Sequence, residues 1–424
     1  MIPLDEATAH VLAGCPPLAS ATTPVGDAAG CVLAGPVAAR EDVPEFANTA
    51  MDGYAVRAAD LAEVPVTLPV VGQVAAGHPA DHPLGAGEAM RIFTGAVMPQ
   101  GADAVVMVER TERRRTPDGG DAVEIGWVAE VGDHVRPAGG DLRSGDAVFA
   151  AGDELTPARL GVLASLGVTE VEARPRPRVG VLSTGDELVE PGVALRPGQI
   201  RDSNRPTLLA LVAAAGFTPV DLGRAPDDEA AITAALERGV AGCDAVLSSG
   251  GVSMGDTDLV KVVLDRLGDM RWMQVAIRPA KPLAFGVVPA DVGTEVDGDE
   301  RRVPVFGLPG NPVSSMVSFE LFARPALRRL AGHPADRLHR PRLAAVADEA
   351  LPRRPDGKLH LARVLVGVDA DGRLHVRSAG GQGSHQLAAA SRADGLALLP
   401  DGDGVAAGDP VTVVLLGDPP ALAG

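Results

Sequence analysis

Apolar residues recur at helical spacing over positions 3–14 and open a first segment that reaches about Ala47. Beyond Ala50 the pattern shortens. Val-rich runs at 64–74, 104–108 and 123–128 are separated by Gly, Pro and Asp clusters and predict a small β domain. The charged, Gly-containing stretch 110–121 reads as an exposed hairpin tip. Residues 136–177 return to a mixed pattern, with a helix predicted over 157–166, where Thr156 can cap and Pro157 suits the first turn. The alternation Arg174-Pro175-Arg176-Pro177-Arg178 is a stiff linker into the next unit.

From 179 to about 330 compact apolar runs alternate with helical periodicity. Strands are predicted at 179–182, 245–247 and 303–306, and helices at 207–215, 229–237, 258–267 and from about Pro312. That order predicts a mostly parallel sheet with helices on its faces. Short alternating runs at 361–368, 374–377 and 411–416 predict a closing β domain.

At 424 residues the chain exceeds one ordinary core, so two to four domains are expected. Aromatics make up only 3%, which leaves Ala, Val and Leu to build the interiors. A net charge of −18 argues against nucleic acid, which needs a basic face. It leaves room for an anionic small ligand, because a few cations in a cleft reverse the field locally. Cys15, Cys31 and Cys243 lack metal-ligand spacing and suit a reducing compartment. With no basic-then-apolar leader and no apolar run near the roughly 20 residues that span a bilayer, a cytoplasmic protein without a membrane partner is expected.

Three loops fall at predicted strand ends, where open α/β sheets bind ligands. Ser183-Thr184-Gly185-Asp186-Glu187-Leu188 sets two carboxylates beside a glycine turn. A cation such as Mg²⁺ would let them face a phosphate; Asp186 as a plain helix cap is the competing reading. Ser248-Ser249-Gly250-Gly251-Val252-Ser253-Met254-Gly255-Asp256-Thr257-Asp258 lets backbone amides approach an anion, without the Gly-Lys-Ser/Thr ending of a P-loop. It also reads as an ordinary strand-to-helix turn. In Gly307-Leu308-Pro309-Gly310-Asn311-Pro312-Val313-Ser314-Ser315, Asn311 can cap and Pro312 suits the first helical position. Cations stand at Arg201, beside Asp202-Ser203-Asn204, and at Arg278 and Lys281, between prolines. No zinc-type HExxH and no CxxC pair is present.

Taken in order, Ala50-Met51-Asp52-Gly53-Tyr54-Ala55, Phe93-Thr94-Gly95, the 183–188 loop, Ser249-Gly250-Gly251-Val252-Ser253, Leu308-Pro309-Gly310-Asn311-Pro312 and Gln382-Gly383-Ser384-His385 closely resemble the molybdopterin molybdenumtransferase family (MoeA and the gephyrin E domain) over essentially the whole chain. The resemblance implies an elongated domain from 1–48 and 136–177, a β-rich insertion at 49–135, an α/β molybdopterin-binding domain at 178–330 and a C-terminal β-barrel at 331–424. It also implies a homodimer with a shared cleft, and transient contact with molybdopterin adenylyltransferase and apo-molybdoenzymes. The implied reaction joins molybdate to adenylylated molybdopterin with Mg²⁺, giving molybdenum cofactor and AMP.

Carried over by position, Glu187 and Asp258 are the expected metal residues, and with Asp52, Thr94 and Asp141 the expected catalytic ones. Asp52, Thr94 and Asp141 would reach the cleft from the partner chain. Thr184, Gly185, Asp186, Ser203, Asn204, Ser249, Gly250, Gly251, Val252, Ser253, Pro309, Gly310, Asn311, Pro312 and Ser314 are expected around the pterin nucleotide. Arg278, Lys281, Arg363 and Ser384 fall on oxyanion positions. Ala280 replaces a usual Gly, and Arg278 stands where Lys is common, which keeps the charge but changes the donor geometry. Two other functions fit parts of the pattern: the adenylyltransferase that loads the pterin from ATP, and a non-catalytic scaffold. Site positions outside the α/β unit argue against the first, and the lack of a fused second domain or long linker against the second.

Overall fold

The computed structural model describes residues 1–251, 259–290, 301–370 and 372–417. Its centre is a six-stranded sheet in the order Thr218–Ala225, Arg178–Thr184, Ala245–Ser249, Arg302–Leu308, Pro282–Pro289 and Asp269–Gln274. The first four strands run parallel, and Pro282–Pro289 runs against them, pairing antiparallel with Arg302–Leu308 on one side and Asp269–Gln274 on the other. The three strands that the apolar runs predicted lie inside the sheet, covered on both faces. Val179, Val181, Ala245, Leu247, Phe306 and Leu308 enter one core with Leu208, Val212 and the residues after Pro312. Leu182, Val246, Val303 and Val305 enter another with Ile232, Leu236, Val263 and Leu264. Burying each large apolar side chain contributes about 1.5–3 kcal/mol, so the two-sided burial fixes this sheet.

Three strands escaped the pattern. Thr218–Ala225 and Asp269–Gln274 are the sheet edges and largely alternate exposed with half-buried positions, and Pro282–Pro289 begins and ends on proline. Helices fall near their expected places: Asn204–Ala214, Glu229–Gly242, Leu259–Leu267 and Pro312–Ser318, the last continuing through a π turn into Arg324–Leu330. Asn204–Ala214 starts earlier than its periodicity suggests, and Ser203 makes no side-chain cap.

The N-terminal helix Leu4–Ala13 buries Ala7 and Val11 against the central unit. Ala21–Pro24 and Val32–Leu33 flank Glu170–Arg174, Val37–Ala38 pairs with Ala147–Phe149, and Asn48–Thr49 pairs with Val135–Arg136. Between those last two strands the chain builds a six-stranded sheet that includes Gly53–Val56 and Ala89–Ile92. The charged 110–121 stretch is a hairpin there, with Thr111–Arg115 antiparallel to Asp121–Ile125. Pro157–Ser165 is helical and capped by Thr156, which accepts from the Arg159 amide at 3.5 Å.

The closing unit is a barrel. Leu359–Val368 pairs with Leu374–Ser378 on one side and Gly395–Leu399 on the other, and Arg342–Ala347 and Pro410–Leu415 complete the ring. Ala347, Val364, Val376, Ala397 and Val413 fill it. A short parallel pairing of Ile277–Arg278 with Leu359–His360 ties barrel to central unit. All three cysteines are free and buried. No described helix is long and apolar enough to cross a membrane.

Candidate active site

Arg178–Thr184, Ala245–Ser249 and Arg302–Leu308 are adjacent and parallel, so the loops after them leave the same edge of the sheet. One side chain gathers them. Asn204 Nδ2 donates to Ser249 Oγ and to the Gly310 carbonyl, both at 2.7 Å. The Gly250 amide donates to the Leu308 carbonyl at 3.2 Å. Gly250 has φ +103°, and a Cβ there would stand 2.9 Å from the Thr184 carbonyl oxygen, so only glycine permits this approach. Ser183, Thr184, Ser248 and Ser249 are buried, and the Ser183 and Ser248 hydroxyls have no partner among the described residues. Thr184, Asn204, Ser249, Gly250 and Gly310 are thus brought together.

Two expected caps are not made. Asn311 occupies the N-cap position without a side-chain bond; the Val313 amide donates instead to the Ser384 carbonyl at 3.1 Å. Asp186 caps no helix: its Oδ1 accepts from the Asp227 amide at 3.0 Å, joining two loops of the strand edge. Glu187, exposed beside Gly185, has no cationic partner among the described residues. Val252, Ser253 and Asp258 lie outside the described residues, as do Met254, Gly255, Asp256 and Thr257.

At the seam with the barrel lies a depression of about 290 Å³ lined by Arg278, Lys281, Ser314, Lys358, Gln382 and Ser384, among others. Arg278 and Lys281 are exposed and carry no ion-pair partner among the described residues. Ala280, between them and buried, has φ +73°, a left-handed conformation that glycine adopts more readily than alanine. Arg363 does not line this depression. It is 1% exposed beneath the loop, and its Nη2 donates to the Gly381 and Gly383 carbonyls at 3.0 and 3.3 Å. Burial lowers its pKa. Its Nε and Nη1 have no partner among the described residues.

Asp52 and Thr94 form a pair of their own. Asp52 Oδ1 accepts from the Thr94 amide and from Thr94 Oγ1, both at 2.7 Å, and these bonds hold its carboxyl below the usual range. Asp141 is exposed at a turn where its amide donates to the Val43 carbonyl at 2.9 Å. No hydrogen bond or ion pair among the described residues joins these three to the strand edge of the same chain.

Several organising residues were missed. Arg205, rather than Arg201, is the anchor of the 188–205 region: it reaches Asp202 at 3.2 Å, Asp221 at 2.5 Å and Glu190 at 2.6 Å. Only the Asp202 spacing was visible locally. Gln382 clamps the Ser384 loop, its Oε1 accepting from the Arg363 amide at 2.9 Å and its Nε2 donating to the Arg363 and Gly380 carbonyls, both at 3.0 Å. Lys358 lines the depression with Nζ 2.8 Å from Asp356. Hydrogen bonds from Lys358 and then His360 draw the Asp356 carboxyl down to about 2; burial lowers the pKa of His360.

Comparison with known proteins shows the family. The family model of the MoeA N-terminal region (domain I and II) matches residues 2–167, that of a probable molybdopterin binding domain 180–329, and that of the MoeA C-terminal region (domain IV) 345–416. Molybdopterin molybdenumtransferase of Haemophilus influenzae is 36% identical over 415 residues, 97% of this chain and 98% of the relative. Molybdopterin molybdenumtransferase 2 of Mycobacterium tuberculosis is 40% identical over 408 residues, 94% of each. Two solved structures of the molybdopterin biosynthesis MoeA protein of Pyrococcus horikoshii superpose with TM-scores of 0.76 and 0.75 at 30% and 27% identity. They cover 99% and 98% of this chain and are themselves covered completely. This chain belongs to the molybdopterin molybdenumtransferase family.

Proposed function

We propose that this protein inserts molybdenum into the pterin dithiolene of the molybdenum cofactor, taking molybdate and adenylylated molybdopterin as substrates and releasing AMP. The supporting observation is the shared strand edge: Asn204 ties the second and third loops together beside Thr184, and the Arg278–Lys281 depression adjoins through Ser314. Two anions can thus meet inside a molecule of net charge −18. Thr184, Ser249 and the Gly310 amide hold the nucleotide phosphates. Arg278, Lys281 and Ser384 receive the molybdate, and Arg363 holds the Ser384 loop by its carbonyls. This division lets proximity and charge do most of the work, with no covalent enzyme intermediate.

The exposed Glu187 carboxylate, unpaired among the described residues, fits Mg²⁺, which takes one or two carboxylates together with phosphate oxygens and water. Bound there, Mg²⁺ would supply Lewis-acid neutralisation of the phosphoanhydride. We assign Asp52, Thr94 and Asp141 to a cleft shared with a second copy, because within one chain nothing described links them to the strand edge. The same reading divides the chain at the domain limits given above.

The test is direct. Purified protein with adenylylated molybdopterin, molybdate and Mg²⁺ is expected to release AMP and transfer molybdenum, and Glu187→Ala to slow that release about a hundredfold. ATP consumption in place of AMP release would indicate pterin adenylylation, and neither outcome a scaffold.

A further inference from the structure

We propose that the oxyanion enters the Arg278–Lys281 depression through an adjoining basic vestibule, and that Arg354 on its rim is the residue that steers the anion in. The inference rests on the reading of that depression as the molybdate site.

A cavity of about 520 Å³ opens beside the depression, lined by Arg278, Arg353, Arg354, His360, Gln382 and Leu399, among others. Arg278, Pro279, Gln382 and Gly383 line both spaces, so the two adjoin. Arg278 and Arg354 are exposed, and among the described residues neither has a carboxylate partner. The carboxylates at the rim are already committed. Asp356 is bonded to Arg353, Lys358 and His360, and Asp401 to Arg353 and the Asp356 amide. What remains uncompensated in the vestibule is positive charge.

Arg353 explains why that charge stays in place. Its buried guanidinium donates to the carbonyls of Lys358 at 2.6 Å, Pro400 at 2.9 Å, Leu399 at 3.1 Å and Arg354 at 3.3 Å, which pins the rim backbone from which Arg354 projects. A chain of net charge −18 repels a dianion at long range. A cleft of one sign with low-dielectric walls reverses this locally and raises the encounter rate. Such a residue favours the anion through its long-range field, on approach and once bound, rather than by direct contact, so its effect fades when salt shortens the screening length from about 30 Å at 0.01 M to about 3 Å at 1 M.

The experiment is equilibrium dialysis of the full chain against molybdate, with metal quantified on both sides, at about 10 mM and about 500 mM ionic strength. Arg354→Glu is expected to weaken binding about fivefold at low salt and to match wild type at high salt. Arg238→Glu makes the same charge change on the helix Glu229–Gly242, packed on the opposite face of the sheet, and should leave affinity near wild type. Lys281→Ala should weaken binding at both salts. Unchanged low-salt affinity in Arg354→Glu overturns the steering role, as does a loss that persists at high salt, which would make Arg354 a bound ligand. Equal weakening by Arg238→Glu overturns it too, by reducing the effect to overall charge. Failure of wild type to retain molybdate defeats the depression as a site, and the vestibule with it.

Discussion

Ala280 shows how single residues are weighed in this site. Its φ of +73° costs an L-residue about 1–2 kcal/mol, while glycine would lose about 0.5–1 kcal/mol of unfolded-chain entropy and a buried methyl worth roughly 0.8 kcal/mol. These offset, so Ala280→Gly should shift stability by less than about 0.5 kcal/mol, whereas Ala280→Val should cost more than about 2 kcal/mol, both read by urea denaturation. Asn204 is less replaceable. Asn204→Ala removes both bonds at 2.7 Å and should cost about 1–2 kcal/mol while raising KM for the adenylylated pterin. Motif positions such as Gly250 and Asn204 were legible because a tight turn restricts residue choice locally. Arg205 and Gln382 were not, since their partners Glu190, Asp221 and Arg363 stand well away in sequence.

Among elements, legibility followed burial. Strands covered on both faces announce themselves as apolar runs, but the edge strands Thr218–Ala225 and Asp269–Gln274 show water half their side chains and read as loop. The end of the helix Arg324–Leu330 carries a pH-dependent contact of the same hidden kind. His333 is buried, and Arg328 Nη2 lies 3.1 Å from its Nδ1. Burial first, then Arg328, Arg324 and Arg337, lower its pKa to about 4. The folded protein therefore binds fewer protons here than the unfolded chain, and stability falls as pH drops from about 6.5 to about 4. In His333→Gln that portion of the acid loss, roughly 2 kcal/mol, should disappear, as measured by urea midpoints at pH 7 and pH 4.5.

At the scale of the whole molecule, a shared cleft predicts complementation. Asp52→Ala and Glu187→Ala should each be nearly inactive. When the two are unfolded together and refolded as a mixture, half the dimers are mixed and each holds one intact site, so about a quarter of wild-type AMP release should return. Independent sites within each chain would return none. The alternation of strands and helices foretold an α/β centre but not the reversed strand Pro282–Pro289, because direction depends on crossovers that periodicity does not encode. Barrel closure was foretold by the family likeness rather than by the alternating runs, since Arg342–Ala347 and Gly395–Leu399 left no distinct run of their own.

The strand Leu359–Val368 belongs to two bodies at once, hydrogen-bonded on both sides within the barrel and, at its first residues, to Ile277–Arg278 of the α/β unit. A hinge between those bodies would have to break this ladder just where Arg278 presents its charge. In the proposed shared cleft, enclosure of the reactants falls instead to the neighbouring copy assigned to bring Asp52 and Thr94, a body free to dock where the barrel is tied.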